Sequence, residues 1–562
     1  MFGIKNTSSI AYLFLLIIWS YTFYVSVINP PFFGYFSVDE NFIADSGVFL
    51  WYGNTPRGLD WPASPSILIA FILFGSKVLV SILSGSNNSS ELLDLFKKFD
   101  VEAFNYLTSR ENFIIELRAI QLIEVGIILI LLIRFFFSRK HKLLTPITRQ
   151  VLAYTCVSSY VIWFNAPVLR PEALAGVLFM YLLSYVIFTD VLDKNSFWVI
   201  PVLFGVILSE RLLFVFVSPI VLGAVYFLSD SRKSKRTIYS LLLIIGVFII
   251  LCPFLITDTL VVLKSFVGGI LAKMQDKPMT TLFNVDYVRE YLSSPISYLI
   301  IILCGFGIWK LLSSKSPFHW ILIGNWFLFL VLVLRSSKIY DTHVLPAGIL
   351  TVIISALGIV LISEKINKGW LIASVLVVVL ILPSLTSYWE FQKRSHVVSN
   401  IEMAFHWINT LPSNTRLLVL PELEFYLPKS INCLAREAEQ NRDPLKMVRK
   451  IGYLLGRKDN GSQFDLPLVA KSFCFEDERQ YDIQYQILMQ YYKLNSAKRY
   501  DYDVYLETVE LASHSVPTTA AIADFKSGKY SYFIADIKLE GMELIKVFID
   551  NLRTPVYCYK VL

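Results

Sequence analysis

Two adjacent carboxylates, Asp39 and Glu40, lie in the stretch 30–66, PPFFGYFSVDENFIADSGVFLWYGNTPRGLDWPASPS, with Asp45, Arg57 and Asp60 among aromatic, Gly and Pro residues. A carboxylate so placed can take a proton from a hydroxyl, and an adjacent acid can orient it. Charges recur further along at short breaks between apolar runs. Arg170 and Glu172 stand in NAPVLRPE, Glu210 and Arg211 in LSER, and Arg335, Lys338, Asp341 and His343 in RSSKIYDTHVLP. Carboxylates beside several cations suit transfer of a group away from a phosphate. The acid acts as base while Arg and Lys hold the anionic leaving group. Each has a plainer reading. Arg170 with Glu172, and Glu210 with Arg211, can be structural ion pairs; Lys338 can snorkel to headgroups. His343 can be an interfacial histidine, and Asp39-Glu40 can cap a helix N-terminus.

What must position these residues is a membrane bundle. The chain has 562 residues, 55% of them hydrophobic and 15% aromatic, and a mean hydropathy of +0.57. Apolar runs fall near 10–29, 66–84, 119–137, 150–167, 173–189, 197–208, 212–228, 238–256, 294–311, 319–334, 344–363 and 369–388. Runs of roughly 17–25 residues are what a hydrocarbon core of about 30 Å asks of a spanning helix. The run 66–84 carries Gly75, Ser76 and Lys77 at its middle, and a lysine at the bilayer centre is costly. If that run crosses, the basic loops SRKHK (138–142) and SRKSKR (231–236) face outward. If it lies along the interface or re-enters, both face inward, as do 309–315 and 363–368, in agreement with the positive-inside bias. The second arrangement gives about eleven spans. It places the N-terminus inside, makes 30–118 one long external segment with juxtamembrane helices at 66–84 and within 91–117, and puts the C-terminus outside. The break at Ser209-Glu210-Arg211 then lines a cavity, since polar breaks at membrane depth need protein or water around them.

The fold class read from this is a polytopic α-helical membrane protein, 1–388, followed by an extracytoplasmic α/β domain, 389–562. In the second part RLLVLP, YSYFIADIKL and VYCYKVL read as strands. The net charge of +7 resides in short loops, so it is a topology signal rather than a nucleic-acid footprint. The six cysteines have no metal-ligand spacing and imply neither zinc nor a disulfide framework. No resident cofactor is expected; a divalent ion near Asp39 lacks a third ligand in the sequence and is not favoured. The N-terminal run reads as an uncleaved signal anchor.

Taken in order, these signals resemble a known family. SVDE is followed by YGNTPRGLDWPASPS, then by an arginine opening the second span (LRAIQLIEVG). After these come LRPEALAG, the charged break GVILSERLLF, and SSKIYDTHVLPAGILTVIISALG. The set is similar to the GT-C-fold membrane glycosyltransferases of the protein O-mannosyltransferase and aminoarabinose-transferase superfamily. The resemblance covers roughly residues 1–390, and AFHWINTLPSNTRLLVL is similar to the start of the extracytoplasmic domain in many such chains. It implies a transferase that takes a sugar from a polyprenyl-phosphate carrier in the membrane and passes it to a hydroxyl of a protein, lipid or glycan outside. It implies Asp39 as general base with Glu40 supporting it. Arg57, Asp60, Arg170, Glu172, Arg211, Lys338 and His343 become the candidates for the lipid phosphate and its surroundings. The chain departs from the family in having Asp60-Trp61-Pro62 where relatives often carry His-Pro, and Asp341-Thr342-His343 where they often carry Arg-Tyr. The location implied is a bacterial inner membrane facing the periplasm, since the soluble domain is C-terminal and no retention signal ends the chain. In a eukaryote it is the endoplasmic reticulum facing the lumen. Two other classes fit the same charges: a lipid-linked oligosaccharide polymerase or ligase, and a flippase or transporter, for which inverted repeats are expected and none is found.

Overall fold

A computed structural model of the chain describes residues 4–28, 39–51, 64–84, 110–192, 196–229, 232–252, 293–314, 316–334 and 341–366, together with isolated positions and five short strands beyond residue 370. The described helices are α1 (Ile4–Phe23, continued by a π turn to Ile28), α2 (Asp39–Leu50), α3 (Ser64–Ser84), α4 (Arg110–Ser138), α5 (Pro146–Val157), α6 (Tyr160–Trp163) and α7 (Pro171–Ile187). They continue with α8 (Val199–Glu210), a 3-10 turn Leu212–Val217, α9 (Ser218–Leu228), α10 (Lys233–Leu251), α11 (Pro295–Ser313), α12 (Pro317–Leu334) and α13 (Asp341–Lys365). Among the described residues seven helices are long and apolar enough to cross a membrane: Ser8–Ile28, Ser64–Leu83, Asn112–Ser138, Lys233–Leu251, Pro295–Ser313, Pro317–Leu334 and Val344–Lys365. The protein is a helical membrane protein with a small sheet.

The helices follow the apolar runs of the sequence closely, with three differences that have physical causes. α4 begins at Arg110, so the C-terminal part of the proposed juxtamembrane piece 91–117 is instead the first turns of the third long apolar helix. Ser158 and Ser159 interrupt the run 150–167. The Ser158 hydroxyl donates back to the Tyr154 carbonyl at 2.7 Å, and such local bonds compete with the helical ladder. α3 runs unbroken through Gly75-Ser76-Lys77, where the Lys77 ammonium sits over the Phe113 ring. Gly75 makes room there for the Trp51 ring, whose Nε1–H donates to the Phe71 carbonyl.

The chain divides into two compact units, Met1–Ile28 with Thr55–Ile69 and Glu116–Glu390, and Asn29–Asn54 with Ala70–Ile115 and Phe391–Leu562. In the first unit α7 is the centre, buried along nearly its whole length. α13 is the best-covered long span, with 72% of its apolar window buried against 11% in α10. α11 and α13 pack parallel and close. A Cβ at Gly307 would strike the Ile354 carbonyl, and one at Gly358 the Leu303 carbonyl, so the small residues set the approach, as in membrane helix pairs generally. Cys304 and Ser355 bond across the same seam at 3.2 Å, and Trp326 of α12 donates to Thr351 at 3.0 Å.

Polar contacts sort the helix ends of this unit into two groups. At one end, Arg139 donates to Thr189, the Leu192 N–H bonds the Leu228 carbonyl, Arg236 donates to the Leu192 carbonyl, and Lys310 pairs with Glu364 at 2.6 Å. Arg149 holds the loop between α4 and α5 through the carbonyls of Phe137, Arg139 and Leu144. This basic end gathers the described residues 138–145, 189–192, 229, 232–233 and 313–314. At the other end lie Ser26, Ser64, Arg118, Gln121, Arg170, Glu172, Glu210, Arg211 and Cys252, which meet one another in the contacts described below.

In the second unit five strands form one sheet in the order β2-β1-β3-β5-β4, with β1 (Arg416–Val419), β2 (Tyr505–Thr508), β3 (Tyr532–Ala535), β4 (Glu543–Phe548) and β5 (Val556–Lys560). β1 pairs parallel with β2 and β3, whereas β5 pairs antiparallel with β3 and β4. The three strands read from the sequence are β1, β3 and β5. Burial pushes the Cys558 thiol of β5 up to about 12, which leaves it protonated and inert.

Candidate active site

The buried charges of the first unit form a layer at the ends of α1, α3, α4, α7, α8 and α10. Arg170 is the N-cap of α7, and Glu172 follows Pro171 in its first turn, where a carboxylate is favoured by the helix dipole. α8 ends at Glu210, and Arg211 leaves the helix in extended backbone before the 3-10 turn begins. The Arg211 guanidinium meets the Glu172 carboxylate at 3.2 Å, both side chains being almost fully buried. Glu210 turns to α3 instead and accepts the Ser66 N–H at 3.1 Å and the Ser66 hydroxyl. α3 has no acid in its own first turn, so Glu210 supplies from another helix the carboxylate that a helix N-terminus favours. The neighbouring Ser64 hydroxyl and Cys252 thiol are 2.9 Å apart.

The Arg211–Glu172 pair crosses from the first turn of α7 to the break after α8, because helices packed side by side bring their ends together.

Two residues that sequence reading left out of the site hold it in place. Gln121 on α4 is buried and donates to the Ala166 and Val168 carbonyls at 3.1 and 2.8 Å, while its side-chain carbonyl accepts the Arg170 N–H at 3.1 Å. It thereby fixes the turn that presents Arg170. Arg118, fully buried one turn earlier, donates to the Ser26 carbonyl at the end of α1. The available signal is the spacing Arg118, Gln121, Glu124 in an apolar run, which recurs every three residues on one side of a helix.

The remaining candidates are distributed as follows. Asp39 and Glu40 open α2, in the second unit; the Glu40 side chain is fully buried, and that of Asp39 lies outside the described residues. Arg57, Asp60 and Lys338 lie outside the described residues, and His343 is in the first turns of α13 with its side chain likewise outside them. Among the described residues no group of three His, Cys, Asp or Glu side chains could hold a metal ion.

The arrangement places two guanidinium groups, Arg170 and Arg211, at neighbouring helix ends, with a carboxylate fixing one of them. Chemically this can hold an anion of phosphate type bidentately. No protein-family model matches the chain, and no curated protein gives a match to its sequence.

Proposed function

We propose that the protein is an integral-membrane glycosyltransferase that moves a sugar from a polyprenyl-phosphate carrier to an acceptor hydroxyl on the extracytoplasmic face. The observation that carries this reading is the buried Arg211–Glu172 pair at the broken end of α8, with Arg170 and Glu210 beside it. α8 has 12 residues, so it rises about 18 Å, and α7 with 17 rises about 26 Å. Both fall short of a hydrocarbon thickness of about 30 Å. Measured from the basic end, the charged layer therefore lies within membrane depth, where ionisable groups mark substrate paths more often than scaffolding.

The opposite end supports the orientation of this reading. Arg139, Lys140, Lys142, Arg232, Lys233, Lys235 and Arg236 gather there, and exposed aromatic side chains, Trp198, Tyr226, Tyr239, Trp309 and Trp320, lie near the same helix ends. Aromatic anchors mark an interface on either side, and the excess of Lys and Arg in its short loops favours the cytoplasmic one. In this reading α3 lies along or dips into the membrane, and the apolar run 369–388, largely outside the described residues, is taken as the last of eleven spans, with 389–562 as an extracytoplasmic α/β domain.

In the mechanism, the carrier's phosphate sits against Arg170 and Arg211, with Arg57 and Lys338 as further cations, while Glu172 fixes the Arg211 fork. Asp39, supported by Glu40, removes the acceptor proton as the hydroxyl attacks the anomeric carbon. The C–O bond to the phosphate breaks, and the lipid phosphate leaves with the electron pair as an already stable anion. One carboxylate base therefore suffices, unlike the paired acids of glycoside hydrolysis. The family resemblance makes Asp60 and His343 further candidates for the surroundings of the phosphate. The test supplies membranes containing the protein with a polyprenyl-phosphate monosaccharide or with a pyrophosphate-linked oligosaccharide. Transfer from the monosaccharide donor supports the reading. Transfer only from the oligosaccharide assigns a polymerase or ligase, and lipid translocation without transfer assigns a flippase.

A further inference from the structure

We propose that the start of α10 is a binding surface for an anionic phospholipid, with the headgroup phosphate at Arg232, Lys233 and Lys235 and an acyl chain along the aliphatic stripe that runs on from them. This is independent of the transferase reading and rests only on the protein being a membrane protein. Three other cations at the basic end are engaged by the protein: Arg149 by three carbonyls, Lys310 by Glu364, and Arg236 by the Leu192 carbonyl; Lys140 and Lys142 are exposed as well, but on the separate loop after α4. Arg232, Lys233 and Lys235 are exposed and make no ion pair among the described residues. Lys235 lies only over the Tyr239 ring, at 5.5 Å. The first turn of α10 contains no acid and has no side-chain cap. With Arg236, four cations crowd the end of a helix whose dipole is already positive, and an anion relieves that repulsion.

The surface continuing from the cations has the chemistry of the rest of a lipid. Ile238, Leu242, Ile245 and Ile249 are exposed by 58, 59, 45 and 38%, and their spacing of four, three and four residues puts them on one stripe in line with Lys235. α10 is also the least covered of the seven long apolar helices. Trp198, just before α8, and Tyr226, near the end of α9, are exposed as well, and Arg236 of α10 lies over the Phe197 ring next to Trp198, which suits interfacial anchors. Clustered cations at the membrane-surface end of a span attract anionic headgroups.

The test uses the full-length protein purified in a mild detergent, with bound lipid counted by native mass spectrometry after titration with phosphatidylglycerol or phosphatidylcholine. The wild type is expected to retain phosphatidylglycerol roughly tenfold better than phosphatidylcholine. Lys233→Gln with Lys235→Gln should remove most of that preference, whereas Lys140→Gln with Lys142→Gln, which deletes the same charge from the other basic loop, should keep it. Leu242→Ser should weaken retention without changing charge, and glycerol phosphate, a headgroup without chains, should fail to compete. Equal loss in both charge variants, no preference in the wild type, or displacement by glycerol phosphate at lipid concentrations would overturn the proposal. Should the first variant misfold, the competition and the Leu242→Ser comparison decide the matter.

Discussion

Two residue pairs illustrate how much the surroundings of a side chain decide what it does. Glu172 and Arg211 are both nearly buried and 3.2 Å apart, so each neutralises the other away from water. Removing one partner strands a buried charge, and Arg211→Met alone is expected to destabilise by about 3–5 kcal/mol. Replacing both, Glu172→Met with Arg211→Leu, should restore much of the thermal stability measured in detergent but not sugar transfer. Recovery of both would make the pair purely structural. His141, outside the spans, behaves differently. Its Nδ1 accepts the Leu143 N–H at 3.1 Å, which puts the proton on Nε2, facing Asp190 at 3.2 Å. Burial lowers its pKa below the usual histidine value and outweighs the Asp190 carboxylate, which is largely exposed and so well solvated. A lowered pKa means the folded protein resists a proton that the unfolded chain takes up. His141 therefore contributes stability that is fully present above about pH 6.5 and is lost as pH falls below that value toward its folded pKa. The melting temperature of His141→Gln, which retains an acceptor, should drop less between pH 7 and pH 5 than that of the wild type.

At the scale of the element, hydropathy in the sequence already marks nearly every described helix, because a bilayer allows few alternatives to a long apolar run. The break at Glu210-Arg211 is legible for the same reason, as is the strand character of 416–419, 532–535 and 556–560. What the sequence does not disclose is which ends meet. The choice of Glu172 as Arg211's partner, and of Ser66 as Glu210's, depends on how α3, α7 and α8 pack, and hydropathy carries no information on that. Gln121 is obscured for a related reason: one amide in LRAIQLIE looks incidental until the Ala166–Arg170 turn lies against it. The contact between α11 and α13 offers a test of packing. Gly307→Val places side-chain atoms against the Ile354 carbonyl, so the two helices must separate. The expected loss is about 1–3 kcal/mol, read as a lower melting temperature in detergent, with Gly305→Val, where nothing lies within 4 Å, as the harmless control.

For the whole molecule, the two groups of helix ends make topology a measurable quantity. A phosphatase reporter that is active only outside the cytoplasm should be inactive when fused after Lys365 and active when fused after Leu562. The reverse pattern would turn the charged layer toward the cytoplasm and remove the proposed access of an external acceptor. The most direct measurement of the central claim is sugar transfer from a labelled polyprenyl-phosphate monosaccharide by membranes containing either wild type or Asp39→Asn at equal abundance. The account predicts transfer with release of polyprenyl phosphate by the wild type, and a loss of roughly a hundredfold or more in the variant. Undiminished transfer by Asp39→Asn would contradict it.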